Sequence, residues 1–439
     1  MDIGSVLHGL IGLAFVTLLA FLFSNNRSAI NWKLVLTGIL LQFVFAFLVV
    51  KTDVGREVFN WISRLFVALF GFAAEGASFV FGNLGRSSGA GSLGFFFAFQ
   101  VLPTIIFFAS FMTILYYLGI MQKIVQGMAW VMQRFMRTSG AETLDVAANT
   151  FIGQTEAPLV IRPYLASMTE SELFTVMTSG MAHIAGGVLA AYMLMLGNAM
   201  AKAQGIPVDQ SQVFFAGHLL AASIMALPVT LVVAKILIPE TGSPLTMGTV
   251  RVKIEKTHSS LIEAAAGGAG DGSRLAINVA AMLIAFIALI ALVNALLGYV
   301  GDATGLNATL MAHYQKPLSL ELLFGFVFQF IAFAIGVPWK DAMNVGSLMG
   351  IKLVVNEFVG YLKMSEVVAA GGLSPKSIVI ATYALCGFAN FSSIAIQIGG
   401  LSPLAENRRA DIARLGLKAV LGGTIATWMT ASIAGILTN

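Results

Sequence analysis

Apolar residues fill most of the chain in long runs, so the informative positions are the polar ones that interrupt them. Val6–Phe23 and Ala29–Val50 are long enough to cross a bilayer as helices. Val54–Phe70 differs. Val54, Val58, Phe59, Ile62, Leu65, Phe66, Leu69 and Phe70 recur at helical spacing, with Arg56, Glu57, Asn60 and Arg64 on the other side. That pattern predicts an amphipathic helix lying in the membrane interface. The glycine- and serine-rich stretch Gly82–Gly94 reads as a loop. Further spans are predicted at Phe95–Met121, interrupted by Pro103, and at Gln212–Ala234, Leu275–Val300 and Ala419–Leu437. Two charge-free runs, Leu173–Ala201 and Ser377–Ala405, are longer than one span needs. Small and polar residues break each in its middle, at Ser179–Gly187 and Cys386–Ser393, so each predicts a broken helix.

Two stretches fit neither a span nor a loop. Asn149–Leu165 sets Gly153, Gln154, Thr155 and Glu156 in a row, with Pro158 and Arg162-Pro163 behind them. A carboxylate at membrane depth is expensive unless it faces protein, water or a ligand, and irregular backbone survives there only around a cavity or inside protein. A solvated loop is the alternative, but Val146–Ile152 and Leu159–Ile161 are too apolar for one and too short for spans. A re-entrant hairpin is favoured. Leu318–Gly360 repeats the anomaly: Leu322–Trp339 closes on VPWKD, and a second apolar piece runs into Asn356-Glu357-Phe358. Hairpin, broken helix and span therefore occur twice, starting from opposite sides. Inverted repeats with an interrupted helix in each half point to a secondary transporter whose site lies near the bilayer midplane. The fold class predicted is an all-α integral membrane protein.

Composition sharpens this. Of 439 residues, 58% are hydrophobic and 10% charged, against about 25% charged in a soluble domain. The abundant glycine (45) suits closely packed helices rather than a membrane β-barrel. The net charge of +4 sits mostly in loops and reports orientation; it gives no ground for a nucleic-acid partner. Arg27 and Lys33, then Lys123, Arg134 and Arg137, then Arg251, Lys253, Lys256 and Arg274, and last Arg408, Arg409, Arg414 and Lys418 mark cytoplasmic connections. Both termini are then expected outside. Met1–Phe23 lacks a basic leader and a clear cleavage site and is read as a retained span. The single cysteine, Cys386, rules out an intramolecular disulfide and a cysteine metal cluster.

The polar side chains at the breaks are amides, hydroxyls and carboxylates: Gln154, Thr155 and Glu156, then Glu357, then Asn390, Ser392 and Ser393. They suit a neutral polyhydroxylated or heterocyclic solute. No arginine or lysine lies among them, which argues against a phosphate. Phe388 offers a face to a planar ring, with plain packing as its alternative. No nucleophile elbow, zinc-protease motif or phosphate-cradling loop is present, so an enzyme is not expected.

GQTEAPL (Gly153–Leu159), NEFV (Asn356–Val359) and CGFANFSSIAI (Cys386–Ile396) resemble the concentrative nucleoside transporters, especially bacterial members. EAAAGGAGDG (Glu263–Gly272) and RRADIARLGLKAV (Arg408–Val420) are similar too, so the resemblance spans essentially the whole chain. It implies a homotrimer in the bacterial inner membrane, with eight spans, an interfacial helix and two re-entrant hairpins per protomer, moved as an elevator. In that scheme 1–122 and 239–317 form a scaffold, and 123–238 and 318–439 form the transport part. The resemblance also implies that Gln154, Thr155 and Glu156 contact a nucleobase with Val188 packed on it. Glu357, Asn390 and Ser393 would hold the ribose hydroxyls, with Phe388 beside the substrate path. The coupling ion implied is Na⁺, held largely by backbone carbonyls at Asn149, Ile152, position 183 and Ile184. Here the chain departs from the family pattern: where a small hydroxyl residue is common, it has His183. An imidazole is a poor ligand for Na⁺ but titrates near neutral pH, which leaves H⁺ as the alternative coupling ion. From another class, a nucleoside-binding membrane receptor or channel remains the rival.

Overall fold

The computed structural model describes residues 3–86, 91–247 and 259–438. Among these, all regular elements are helical, and one isolated bridge pairs Ser139 with Met247. Helices α1 (Ile3–Leu22) and α2 (Trp32–Lys51) match the first two predicted spans. Asn31 starts α2 by accepting the Leu34 N–H at 3.1 Å, and Thr52 starts α3 (Asp53–Phe81) by accepting that of Gly55 at 3.0 Å. α3 continues well past the expected end at Phe70, because Ala73 and Ala77 keep its buried stripe in register.

Eight helical stretches among the described residues are long and apolar enough to cross a membrane. They are not quite the eight that were expected. Asp53–Gly85 qualifies by length and composition, although the sequence pattern lays it in the interface. The run Ser377–Ala405 does not qualify, because its break leaves two half-helices of 11 residues each.

The remaining elements form two series of the same order. The first is α4 (Phe97–Tyr117), α5 (Ile120–Met136), the hairpin arms α6 (Gly140–Asn149) and α7 (Arg162–Leu165), the half-helices α8 (Glu170–Ala182) and α9 (Gly186–Gln204), and α10 (Val208–Leu237). The second is α11 (Leu261–Ala303) with a short α12 (Leu306–Tyr314), then α13 (Leu320–Ala334), α14 (Trp339–Val354), α15 (Glu357–Ala369), α16 (Pro375–Leu385), α17 (Phe391–Leu401) and α18 (Arg409–Leu437). Several boundaries differ from expectation, among them the start of α18 at Arg409 rather than Ala419, and three are set by a local cap or turn. Gly119, at φ +75°, ends the third span before Met121 and frees α5 as a separate helix that buries Met121, Val125, Ala129, Met132 and Met136. Ser260 accepts the Glu263 N–H and starts α11 inside the expected loop Pro239–Arg274; Arg251, Lys253 and Lys256 lie outside the described residues. α13 and α14 meet at a bend of 118° around Gly336, so the piece ending in VPWKD turns back before the Glu357 tip is reached.

Burial divides the molecule. In α10 and α18, 89% and 94% of the most apolar window is covered, against 28% in α1, α2 and α4 and 22% in α11. Bare apolar faces such as Leu36, Leu40, Ile277 and Ile284 need lipid or another chain to cover them. At one end of the molecule, polar contacts tie the elements together. Arg414 pairs with Glu170 at 3.1 Å, Lys418 donates to Asn25, and the Asn25 N–H donates to the Leu237 carbonyl at 2.9 Å. Buried Lys235 of α10 meets Glu142 of α6 at 2.7 Å and Ser171 of α8 at 3.0 Å, while Ser139 donates to Glu172 at 2.5 Å. Two capping boxes, Ser139–Glu142 and Thr169–Glu172, are thus cross-linked at the base of the first hairpin.

Candidate functional site

The first hairpin turns at Gly153–Glu156, where the Glu156 and Ala157 N–H groups both donate to the Gly153 carbonyl. That tight turn sends the Gln154 side chain inward, where it is buried. Its Nε2 donates to Ser393 Oγ at 3.3 Å, and its Oε1 accepts from Gln397 Nε2 at 3.2 Å. Gln397 also donates to the Met177 carbonyl at 2.8 Å. Gly180 makes room for this cluster: a Cβ there would stand 2.6 Å from Gln397 Nε2 and 2.8 Å from Gln154 Cβ. Thr155 is half-buried with its methyl against Gly400. Glu156 is exposed, its carboxylate folded back beside Gly153.

The second tip is the α14–α15 junction. Asn356 caps α15 by accepting the Val359 N–H at 2.9 Å, which leaves Glu357 as the first helical residue, buried at 6% exposure. A carboxylate at a helix N-terminus is favoured by the dipole. Glu357 accepts from Tyr192 at 3.2 Å and from Asn390 Nδ2 at 2.9 Å. Asn390 in turn caps α17, its Oδ1 accepting from the Ser393 N–H at 2.9 Å and from Ser392 Oγ at 2.7 Å. One chain of hydrogen bonds therefore runs from Glu357 through Asn390 and Ser393 to Gln154 and Gln397.

The two breaks cross directly. The Phe388 N–H donates to the His183 carbonyl at 3.2 Å, and Gly387, at φ +147°, lies against α8 so closely that a Cβ would stand 2.8 Å from the Met181 carbonyl oxygen. Phe388 is half-buried beside this crossing, and Val188 is buried in the first turn of α9.

Of the residues expected around a cation, Asn149 and Ile152 precede the turn of the first hairpin, and His183 and Ile184 form the first break. Asn149 Nδ2 donates to Asp145 Oδ2 at 3.0 Å, and the Gly186 N–H donates to the Phe151 carbonyl at 3.0 Å, tying the first break to the hairpin. His183 Nδ1 contacts the Ser179 carbonyl at 3.0 Å, and its Nε2 is buried without a partner among the described residues. Asp145 Oδ1 and Ser179 Oγ are buried against each other, with no other hydrogen-bond partner among the described residues. Among the described residues no hydrogen bond reaches the carbonyls of Ile152 or Ile184, whereas that of His183 is taken by Phe388. Carbonyl, hydroxyl and carboxylate oxygens are the ligand type a hard cation takes.

Sequence reasoning missed three participants. Gln397 is an amide in an apolar half-helix, four residues after Ser393 and so on the same face, a signal that was available. Lys352 is an intramembrane charge five residues before Glu357; its Nζ donates to the Ala384 carbonyl at 3.0 Å and to Thr427 Oγ1 at 3.3 Å, so a basic group does stand behind the site. Tyr192 carried no signal, since a tyrosine in a span reads as packing. Two clefts lie elsewhere, one between α1 and α2 and one lined by α3, α4, α9 and α10.

Comparison with known proteins bears on the same elements. Residues 11–84 match the model for the Na⁺ dependent nucleoside transporter N-terminus, 98–199 that for nucleoside recognition, and 218–435 that for the Na⁺ dependent nucleoside transporter C-terminus. The chain is 44% identical to the uncharacterized transporter YutK of Bacillus subtilis, over 98% of this chain and 99% of that one. It is 41% identical to solute carrier family 28 member 3 of Eptatretus stoutii, over 97% of this chain and 60% of that one. The solved structure of CNTnw in an inward-facing substrate-bound state superposes with a TM-score of 0.87 at 42% identity, covering 99% of each chain. These relatives are transporters and not enzymes. The chain belongs to the concentrative nucleoside transporter family.

Proposed function

We propose that the protein is a secondary active nucleoside:cation symporter that imports nucleosides such as uridine, with Na⁺ the favoured coupling ion. The observation that carries this reading is the convergence of two hairpin tips and two helix breaks on one buried polar chain, Glu357–Asn390–Ser393–Gln154–Gln397. Glu357 and Asn390 supply acceptors suited to ribose hydroxyls, and Gln154 can both donate to and accept from a nucleobase edge. Ser393 would join Glu357 and Asn390 at the ribose, and Thr155 and Glu156 would border the nucleobase edge, with Val188 packed on the base and Phe388 beside the substrate path. Bound nucleoside would replace contacts these groups now make with one another.

Coupling follows from the shared first hairpin. A cation held by Asn149 and the carbonyls of Ile152 and Ile184, beside His183, stabilises the hairpin conformation that also presents Gln154. Nucleoside and cation then raise each other's affinity. One observation favours H⁺ as a second reading: the buried, unpartnered Nε2 of His183 is a proton site without a competing bond. Segments 123–238 and 318–439, which hold the well-buried helices α10 and α18, would move as the transport part against a scaffold of 1–122 and 239–317. In this reading α3 lies in the interface, three copies assemble in the bacterial inner membrane, and both termini face outside. The end that carries Arg414, Lys418 and Asn25 is then cytoplasmic. A receptor or channel is disfavoured because the polar residues form a closed cluster rather than a continuous path.

The test is tritiated uridine uptake into proteoliposomes, with inward Na⁺ and proton gradients imposed separately on the parent and on His183→Ser. Uptake driven by Na⁺ supports the favoured reading. Uptake driven by protons alone and lost in His183→Ser supports the second. Uridine flux that neither saturates nor shows counterflow would sink symport in favour of a channel.

A further inference from the structure

The last carbonyls of a helix have no partner within it, and the negative end of the dipole lies there. α8 and α16 hold the same place in the two series of elements, so each break presents such oxygens. At the first, arm α6 brings a neutral amide, Asn149, next to the break. At the second, arm α14 brings Lys352 instead. Its ammonium, 3% exposed, donates to Ala384 in the last turn of α16 and to Thr427 of α18. Both acceptors are neutral oxygens, and among the described residues no carboxylate lies within ion-pair distance of Lys352, Glu357 acting on it only at longer range. Tyr361 takes a second end carbonyl of α16, that of Thr382, at 2.7 Å. A buried ammonium on neutral oxygens at a helix C-terminus is coordinated as a free cation would be, not paired as in a salt bridge.

We propose that Lys352 is a tethered cation: its ammonium holds, in the second repeat, the place that the coupling cation takes in the first. α14 is thereby fastened to α16 and α18 without an ion from solution, and Glu357, five residues on, is held at the tip with a positive charge behind it. Lys352 is a positioning residue, since it acts on substrate through Glu357. The first repeat, with Asn149 where a charge would otherwise stand, remains the place where an external cation acts. The inference rests on the symport reading above.

The test is calorimetric titration of uridine into the purified full-length parent, Lys352→Ala and Lys352→Gln, each with methylammonium chloride or choline chloride. Removal of the charge is expected to weaken uridine binding about tenfold or more in both variants, the size of a typical coupling between sites. Methylammonium, small enough to enter the space the side chain leaves, is expected to restore Lys352→Ala towards the parent, while choline does not. Lys352→Gln, which keeps the volume and a donor, should stay weak with either salt. Uridine affinity in Lys352→Gln within about twofold of the parent would overturn the proposal, because the charge would then be dispensable. So would a weakened Lys352→Ala that melts like the parent and ignores methylammonium. Should Lys352→Ala fail to fold, the Lys352→Gln result decides alone. Absence of uridine binding by the parent would sink the symport reading itself and the inference with it.

Discussion

At the first break, α8 ends against a histidine from its own segment; at the second, α16 ends against a lysine sent over from a hairpin arm. The two places are otherwise built alike, each with a half-helix, a few extended residues and a second half-helix, and a hairpin tip packed beside them. The difference lies in what satisfies the end oxygens. Around the first break, His183 Nε2 is buried without a partner among the described residues, and Asp145 Oδ1 and Ser179 Oγ have only each other. Around the second, Lys352, Tyr361 and Asn390 fill the corresponding needs. A buried polar group left unpaired costs about 1–3 kcal/mol, so the first break is the one that gains from an external ligand. The second is already assembled. In the symport proposed above, this asymmetry would couple an ion-sensitive tip to a substrate-holding one.

The comparison breaks most readily where the two halves cross. Gly387→Ala forces a Cβ against the Met181 and Ala182 carbonyl oxygens and an alanine into φ +147°. Loss of uridine uptake and about 3 kcal/mol of stability are expected, read by transport and thermal melting. Gly186→Ala at the first break, whose nearest obstacle is the Phe151 carbonyl at 3.2 Å, should be much milder. Equal effects would remove the distinction. Next comes Glu357→Gln, which removes the charge that Tyr192 and Asn390 address. Uridine binding should weaken about a hundredfold; unchanged binding would take Glu357 out of the site. Gln397→Ala loses the bridge between Gln154 and Met177 and should weaken binding about fivefold, in line with one hydrogen bond. The smallest change in uridine affinity is expected for His183→Ser at saturating cation. Its effect should fall on the Na⁺ concentration needed for half-maximal uptake, which drops when a hydroxyl replaces the imidazole.

Much of this was legible in the chain. Length and apolarity reveal most spans but leave Asp53–Gly85 and Ser377–Ala405 ambiguous, and Gln154, Glu156, Glu357 and Asn390 stand out because polar groups in apolar surroundings have few innocent explanations. Element ends were less legible, since Gly119, Ser260 and Gly336 set them through local caps and turns that hydropathy does not weigh. Least legible were the cross-chain meetings. Tyr192 reaches Glu357, and Lys352 reaches Thr427, only because helices distant in sequence are packed together. No periodicity encodes that. The role expected for Glu156 beside the nucleobase also depends on a tip geometry in which Glu156 is exposed and Gln154 points inward.

The most direct measurement is uridine affinity of the purified protein by calorimetry, in the absence of Na⁺ and at saturating Na⁺, paired with Na⁺ affinity with and without uridine. The account expects each ligand to raise the affinity of the other by the same factor, about tenfold or more. Uridine affinity unchanged by Na⁺, and unchanged also across the pH range in which a histidine titrates, would contradict it.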